Sequence, residues 1–137
     1  MSKATPGERI LETGIIAIIR GIEPEVCNEV ISAIAAGGVE TIEITANTPN
    51  AVDMIQEASD EFDDNVIGAG TVLDPETARA VQLAGAEFVV TPSINSDVIK
   101  ACKRHGTPIA TGVMTPTEAV KATEAGPAFC QLFLSLI

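Results

Sequence analysis

The stretch NVIGAGTVLDPETARAVQLAGA, Asn65–Ala86, reads as a strand followed at once by a helix. NVIGAGT is a short strand-like run, Asp74 is a helix cap, and Pro75 takes the first helical position. The same pairing recurs on both sides of it. Upstream, after a short opening helix around Thr5–Glu12, IIAIIR (Ile15–Arg20) is a buried strand by composition and length. It leads into a helix that starts at Pro24, carries Val26, Val30, Ile31 and Ile34 at helical spacing, and ends at Gly37 and Gly38. VETIEIT (Val39–Thr45) sets Glu40, Ile42 and Ile44 against Thr41, Glu43 and Thr45, and NTPNAVDMIQEASDEF is the helix after it, with Asn50 and Asp53 near its start. Downstream, EFVVTP precedes the helix SDVIKACKRHG, and PIATG precedes TPTEAVKATEAG, where Thr115 caps and Glu118 follows three residues on. AFCQLF (Ala128–Phe133) is the sixth and last strand.

Strands separated by helices, at a repeat of roughly 20–26 residues, predict parallel pairing through right-handed crossovers. With no internal linker or low-complexity tract, residues 1–137 read as one domain. An open doubly wound sheet and a closed eight-fold barrel both fit such repetition. No G-x-G-x-x-G follows the first strand, and polar residues gather at strand C-terminal ends: Arg20, Thr45 and Asn47, Thr71, Thr91 and Ser93, Thr111. Barrels assemble their active sites on that face, so the pattern favours an α/β (β/α)8 TIM barrel, incomplete by about two units.

Composition narrows the function. The chain is 46% hydrophobic but 3% aromatic, without Trp or Tyr, so its core is expected from Ala, Val, Ile and Leu. No apolar run reaches the roughly 18 residues of a membrane span, and MSKATPGERI contains no apolar signal segment, so a cytoplasmic protein is expected. Nineteen acidic residues against eight basic ones give a formal charge of −11, with no basic stripe to neutralise phosphates, which argues against nucleic acid as a partner. The acids are a solvated helix surface or an adaptation to a salt-rich cytoplasm; both readings stay open. Cys27, Cys102 and Cys130 are far apart and in no C-x-x-C pattern, which predicts reduced structural thiols and no metal site. His105, in KRHGTP, is placed to complement a helix dipole.

The ordered set IIAIIRG, AGGVETIEITANT, GAGTVLDP, GAEFVVTPS and GTPIATGVMTPTEA closely resembles the class I aldolases of the 2-keto-3-deoxy-6-phosphogluconate family, which also cleave 4-hydroxy-2-oxoglutarate. The resemblance runs from about Ile10 to Phe133. It implies an eight-fold barrel, a homotrimer, a small keto-acid substrate and no cofactor. In that family a strand-six lysine forms a Schiff base with the substrate keto group. The iminium is the electron sink for C3–C4 cleavage to pyruvate and an aldehyde, and a strand-two glutamate moves the protons.

Glu43 lies on the position of that glutamate, and a carboxylate pointing into an apolar barrel has its pKa raised toward neutrality. The alternative is a solvent-facing Glu on an alternating strand. Thr71, in GAGT, matches a threonine that helps hold the substrate carboxylate, and the two glycines before it would let backbone approach a ligand. Arg20 suits bidentate pairing with a carboxylate or phosphate, or else a surface ion pair with the acidic helices. Thr91, Pro92 and Ser93 are expected to line the pocket.

Two positions depart from the family pattern. Asn47 stands where many members carry an arginine for the phosphate or distal carboxylate. Gln131, in GPAFCQLFLSLI, stands at the Schiff-base lysine position, within a strand that reads roughly F-V-K-L-F-P-A in the family. An amide cannot form an iminium, and Lys121 belongs to the preceding helix. Strands seven and eight, with their glycine-rich phosphate-binding turns, are absent, and the apolar ending LFLSLI favours aggregation. These features predict an aldolase-family polypeptide ended prematurely, through a changed reading frame or a degraded gene, and without lyase activity. The alternatives are a non-catalytic chain completed by a partner that supplies strands, and a different phosphate-handling barrel of the thiamine-phosphate synthase type. For the latter no diphosphate or metal constellation is found.

Overall fold

A computed structural model of the protein describes residues 3–132. Its elements alternate: α1 (Pro6–Thr13), β1 (Ala17–Ile19), α2 (Pro24–Ala36), β2 (Thr41–Thr45), α3 (Ala51–Glu61), β3 (Val66–Gly70), α4 (Pro75–Leu83), β4 (Val89–Thr91), α5 (Ser96–Arg104), β5 (Ile109–Val113), α6 (Pro116–Ala125) and β6 (Phe129–Leu132). The strands form one sheet in the order β1-β2-β3-β4-β5-β6, and every neighbouring pair is parallel. A doubly wound sheet reverses its strand order at a switch point, whereas a barrel wall runs in sequence order. The fold is therefore a partial (β/α) barrel wall. Among the described residues, β1 and β6 each pair on one side only.

The helix signals act as their chemistry requires. Asp74 accepts the Thr77 amide at 2.7 Å with Pro75 in the first turn of α4. Thr115 and Glu118 make a reciprocal capping box at α6. A second such box, Thr5 with Glu8, opens α1 and was not anticipated from the sequence. Two boundaries differ from expectation. The helix after β2 starts at Ala51, not at Asn47, because Asn50 takes φ 59 and its side chain caps nothing; asparagine tolerates that left-handed conformation. Strand β4 stops at Thr91, since Pro92 has no amide to continue the ladder. Leu132 ends β6, while Phe133, placed in the last strand from sequence, and the rest of the ending LFLSLI lie outside the described residues.

Alternation along the strands separates two apolar layers. One side chain parity (Ile19, Ile42, Ile44, Ile67, Ala69, Val89, Ile109) packs under the helices against Cys27, Ile31, Met54, Ile55, Val81, Val98, Ile99 and Cys102. The other parity faces the barrel interior, where Val66, Phe88 and Val90 cluster with Ile10, Ile16 and Ala110. Ile10 comes from α1, so that helix closes the N-terminal end of the interior. The Phe88 ring occupies the space that a Cβ on Gly68 would take. Hence Gly68→Ala is expected to lower stability by about 2 kcal/mol. The double variant with Phe88→Leu should be more stable than the two single effects predict, as read from urea unfolding; simple additivity would show that the ring is not what Gly68 accommodates.

Candidate functional site

Glu43 lies at the centre of β2, in register with Ile18 of β1 and Gly68 of β3. It shares the interior-facing parity and is 5% exposed, so the solvent-facing alternative does not hold. Its carboxylate fits because Gly70 has no side chain: a Cβ there would overlap Oε1 of Glu43. The glycines of GAGT thus make room for the Phe88 ring and the Glu43 carboxylate, a different service from the close backbone approach to a ligand expected of them. Burial pushes the Glu43 carboxyl up to about 7, while the charge of Arg20 favours the ionised form.

Arg20 follows β1 and takes part in neither of the two ion pairs among the described residues, Arg9–Glu40 and Lys100–Asp97. Its Nη2 donates instead to Oγ1 of Thr71, at 3.2 Å. Thr71 itself has φ 55, an uncommon conformation for a β-branched residue. Backbone of this kind costs about 1–3 kcal/mol and persists only where the surroundings hold it. Gln131, on β6, pairs in register with Gly112 of β5. The absence of a Cβ on Gly112 lets the Pro92 carbonyl close against that strand.

These groups converge. Arg20, Glu43, Thr71, Thr91, Pro92 and Gln131 line one cavity of about 170 Å³ at the C-terminal ends of the strands, together with Ile18 and Val90. A larger space of about 420 Å³ lies towards α1 and shares Ile18, Glu43, Val90 and Gln131 with it. Glu43 and Gln131 therefore face both. Among the described residues no lysine lines either cavity, and Lys121 is exposed on α6.

Four expected residues are not brought into the lining. Asn47 is exposed on the turn after β2, and Ser93 is exposed with its carbonyl accepting from Thr91 Oγ1 at 2.9 Å. Thr45 is buried against Thr48, at 2.9 Å between hydroxyls. Thr111 is buried with its Oγ1 unpartnered. Conversely, Ile18, Val90 and Gly70 shape the site without having been anticipated. Their signal in the sequence was the interior parity they share with Glu43. All three cysteines are free: Cys27 and Cys102 are buried, which pushes the Cys27 thiol up and the Cys102 thiol to about 11, whereas Cys130 is exposed and lines the larger space.

A barrel wall with a raised-pKa carboxyl beside a guanidinium at its C-terminal mouth is the layout of a small-molecule barrel enzyme. The family model for KDPG and KHG aldolase matches residues 7–136, and the chain belongs to that family. The 2-dehydro-3-deoxy-6-phosphogalactonate aldolase of Escherichia coli (strain K12) is 38% identical over 122 residues, covering 88% of this chain and 60% of that protein. The 2-dehydro-3-deoxy-phosphogluconate aldolase of Treponema pallidum (strain Nichols) is 40% identical over 101 residues, 74% of this chain and 48% of that one. Among solved structures, native KDPGal superposes with a TM-score of 0.84 at 38% identity, covering 88% of this chain and 59% of its own. KDPG aldolase from Legionella pneumophila, with pyruvate captured at low pH as a covalent carbinolamine intermediate, gives a TM-score of 0.82 at 30% identity, covering 91% and 61%. The chain thus spans about 60% or less of the curated relatives' length. No helix of the described residues is long and apolar enough to cross a membrane.

The Glu43 pKa gives a stability signature. Its folded pKa of about 7 lies above the ordinary carboxyl value of 4.5, so its contribution is fully present below pH 4.5 and is lost as pH rises through 7. Glu43→Gln is therefore expected to be more stable than the natural chain above pH 7, by about 3 kcal/mol. That advantage should vanish near pH 4, in denaturant titrations across this range; parallel curves for the two proteins would refute a raised Glu43 pKa.

Proposed function

We propose that this chain, as a single incomplete-barrel domain, binds the keto-acid end of an aldolase substrate and does not cleave it. The substrate class is 2-keto-3-deoxy-6-phosphogluconate or 4-hydroxy-2-oxoglutarate, whose shared pyruvoyl end carries a carboxylate beside a ketone. Arg20 and the Thr71 hydroxyl are the groups for the carboxylate. Glu43, poised near neutrality, is the group placed to move protons once an amine stands at position 131. The observation that carries the reading is a buried carboxyl with a pKa of about 7 in the same cavity as an arginine and the strand-six position.

Position 131 decides between binding and cleavage. A carbinolamine, as captured in the Legionella relative, is the adduct of an amine with a carbonyl. Forming it and losing water to an iminium needs a nitrogen lone pair free to attack. The Gln131 amide nitrogen has its lone pair delocalised into its own carbonyl, and among the described residues no lysine lines the cavity in its place. Treated with pyruvate and sodium borohydride, the natural chain is expected to keep its unmodified mass. Gln131→Lys should gain a reduced pyruvyl adduct, and adding Glu43→Gln to it should slow trapping by about a hundredfold. A covalent adduct on the natural chain, read by mass spectrometry, would overturn this assignment.

A second reading, in which a partner polypeptide supplies further strands to a non-catalytic chain, draws support from the edges. Ile18 on β1 is 57% exposed and Leu132 on β6 is 60% exposed, and apolar strand edges of this kind favour pairing. A native pull-down in the cell's own salt that recovers no partner would end it.

A further inference from the structure

We propose that Thr48 is a positioning residue of this site, setting the distance between Arg20 and Thr71 at which an anionic group is held; this rests on the keto-acid reading above. Thr48 lies in the turn after β2 and is 4% exposed, although it carries a hydroxyl and touches neither cavity. Its Oγ1 accepts the amide of Gly21 at 3.0 Å. Gly21 is the residue directly after Arg20, and its φ of 64 turns the chain away from β1. That one hydrogen bond fixes where the Arg20 backbone ends and from which point its side chain reaches across the mouth.

The other side of the turn grips the second anion-binding group. The amide of Ala46 donates to the carbonyl of Gly70 at 2.7 Å, and Gly70 directly precedes Thr71. Thr48 is itself locked in place, with its amide on the Thr45 carbonyl at 2.9 Å and its hydroxyl 2.9 Å from that of Thr45. Residues 45–48 therefore form a clasp. One end holds the turn that carries Arg20 and the other holds the strand end that carries Thr71. The 3.2 Å contact between Arg20 Nη2 and Thr71 Oγ1 is the outcome. Thr48 provides the only side-chain link in the clasp that reaches β1's turn, so it is the position at which substitution separates geometry from charge.

The test uses pyruvate and its neutral analogue pyruvamide, titrated by NMR into the full chain and its variants. Thr48→Val keeps the shape and removes the hydroxyl. It should weaken pyruvate binding about tenfold, the value of one hydrogen-bonded alignment, and leave pyruvamide binding unchanged. Thr48→Ser should restore the pyruvate affinity. Arg20→Gln is the reference for loss of the carboxylate contact. If Arg20→Gln weakens pyruvate and Thr48→Val does not, or if Thr48→Ser is no better than Thr48→Val, the positioning role is overturned while the keto-acid reading stands. If Arg20→Gln binds pyruvate like the natural chain, the keto-acid reading falls and the role of Thr48 falls with it. Should Thr48→Val fail to fold, amide exchange of Gly21 in the natural chain decides: slowed exchange supports the clasp, and exchange at the free-peptide rate overturns it.

Discussion

A strand in a parallel sheet sends successive side chains to opposite faces, and in this fold both faces are covered. That constraint organises the rest of the structure. Ile42 and Ile44 go to the helices, so Glu43 between them goes to the interior, with Thr41 and Thr45 on its side. Nothing on β2 is exposed, and the charge at its centre is tolerated only because a glycine on the next strand leaves space for it. A one-residue slip of β2 would move Glu43 into the helix layer among aliphatic side chains. Register, site and core are therefore one specification.

Much of the fold was legible because helix punctuation here is chemical. Asp74, Thr115 and Glu118 each make in the structure the capping bond their residue type implies, and Pro75 takes the first helical position, where no amide is needed. Parallel pairing followed from the alternation of strands with helices, and sequential strand order agrees with a barrel wall. The start of α3 was misread because the residues before it, Asn47 to Asn50, are common both at caps and in turns, and here Asn50 adopts the turn. Of the candidate site, Arg20, Glu43, Thr71, Thr91, Pro92 and Gln131 do meet in one cavity. Asn47 does not, since a residue two beyond the end of a strand is aimed by the turn and not by the pleat. The service of Gly68 and Gly70 was illegible: a missing Cβ in sequence does not say which neighbour fills its space.

Threonine is the commonest polar residue in the buried sheet, at positions 41, 45, 91 and 111. β-Branching suits the pleat, and the hydroxyl can be satisfied by a nearby carbonyl or a second hydroxyl without bringing in charge. Thr45 and Thr91 are satisfied in this way. Thr71 is different, because it sits beyond its strand with a backbone that few threonines adopt. Its hydroxyl meets the arginine at the mouth, so the unusual conformation falls at the cavity rather than in the packed sheet.

The charge of Arg20, acting on Glu43 without an ion pair between them, has a consequence for proton balance. The guanidinium is the influence that keeps the buried carboxyl from rising still further. An anion arriving at Arg20 would neutralise part of that influence, and the carboxyl, already half ionised near pH 7, would capture a proton from solvent. Anion capture and proton uptake would then be a single event, so that the complex gains less negative charge than the ligand brings. In a chain with a formal charge of −11, that offsets part of the repulsion an incoming anion meets.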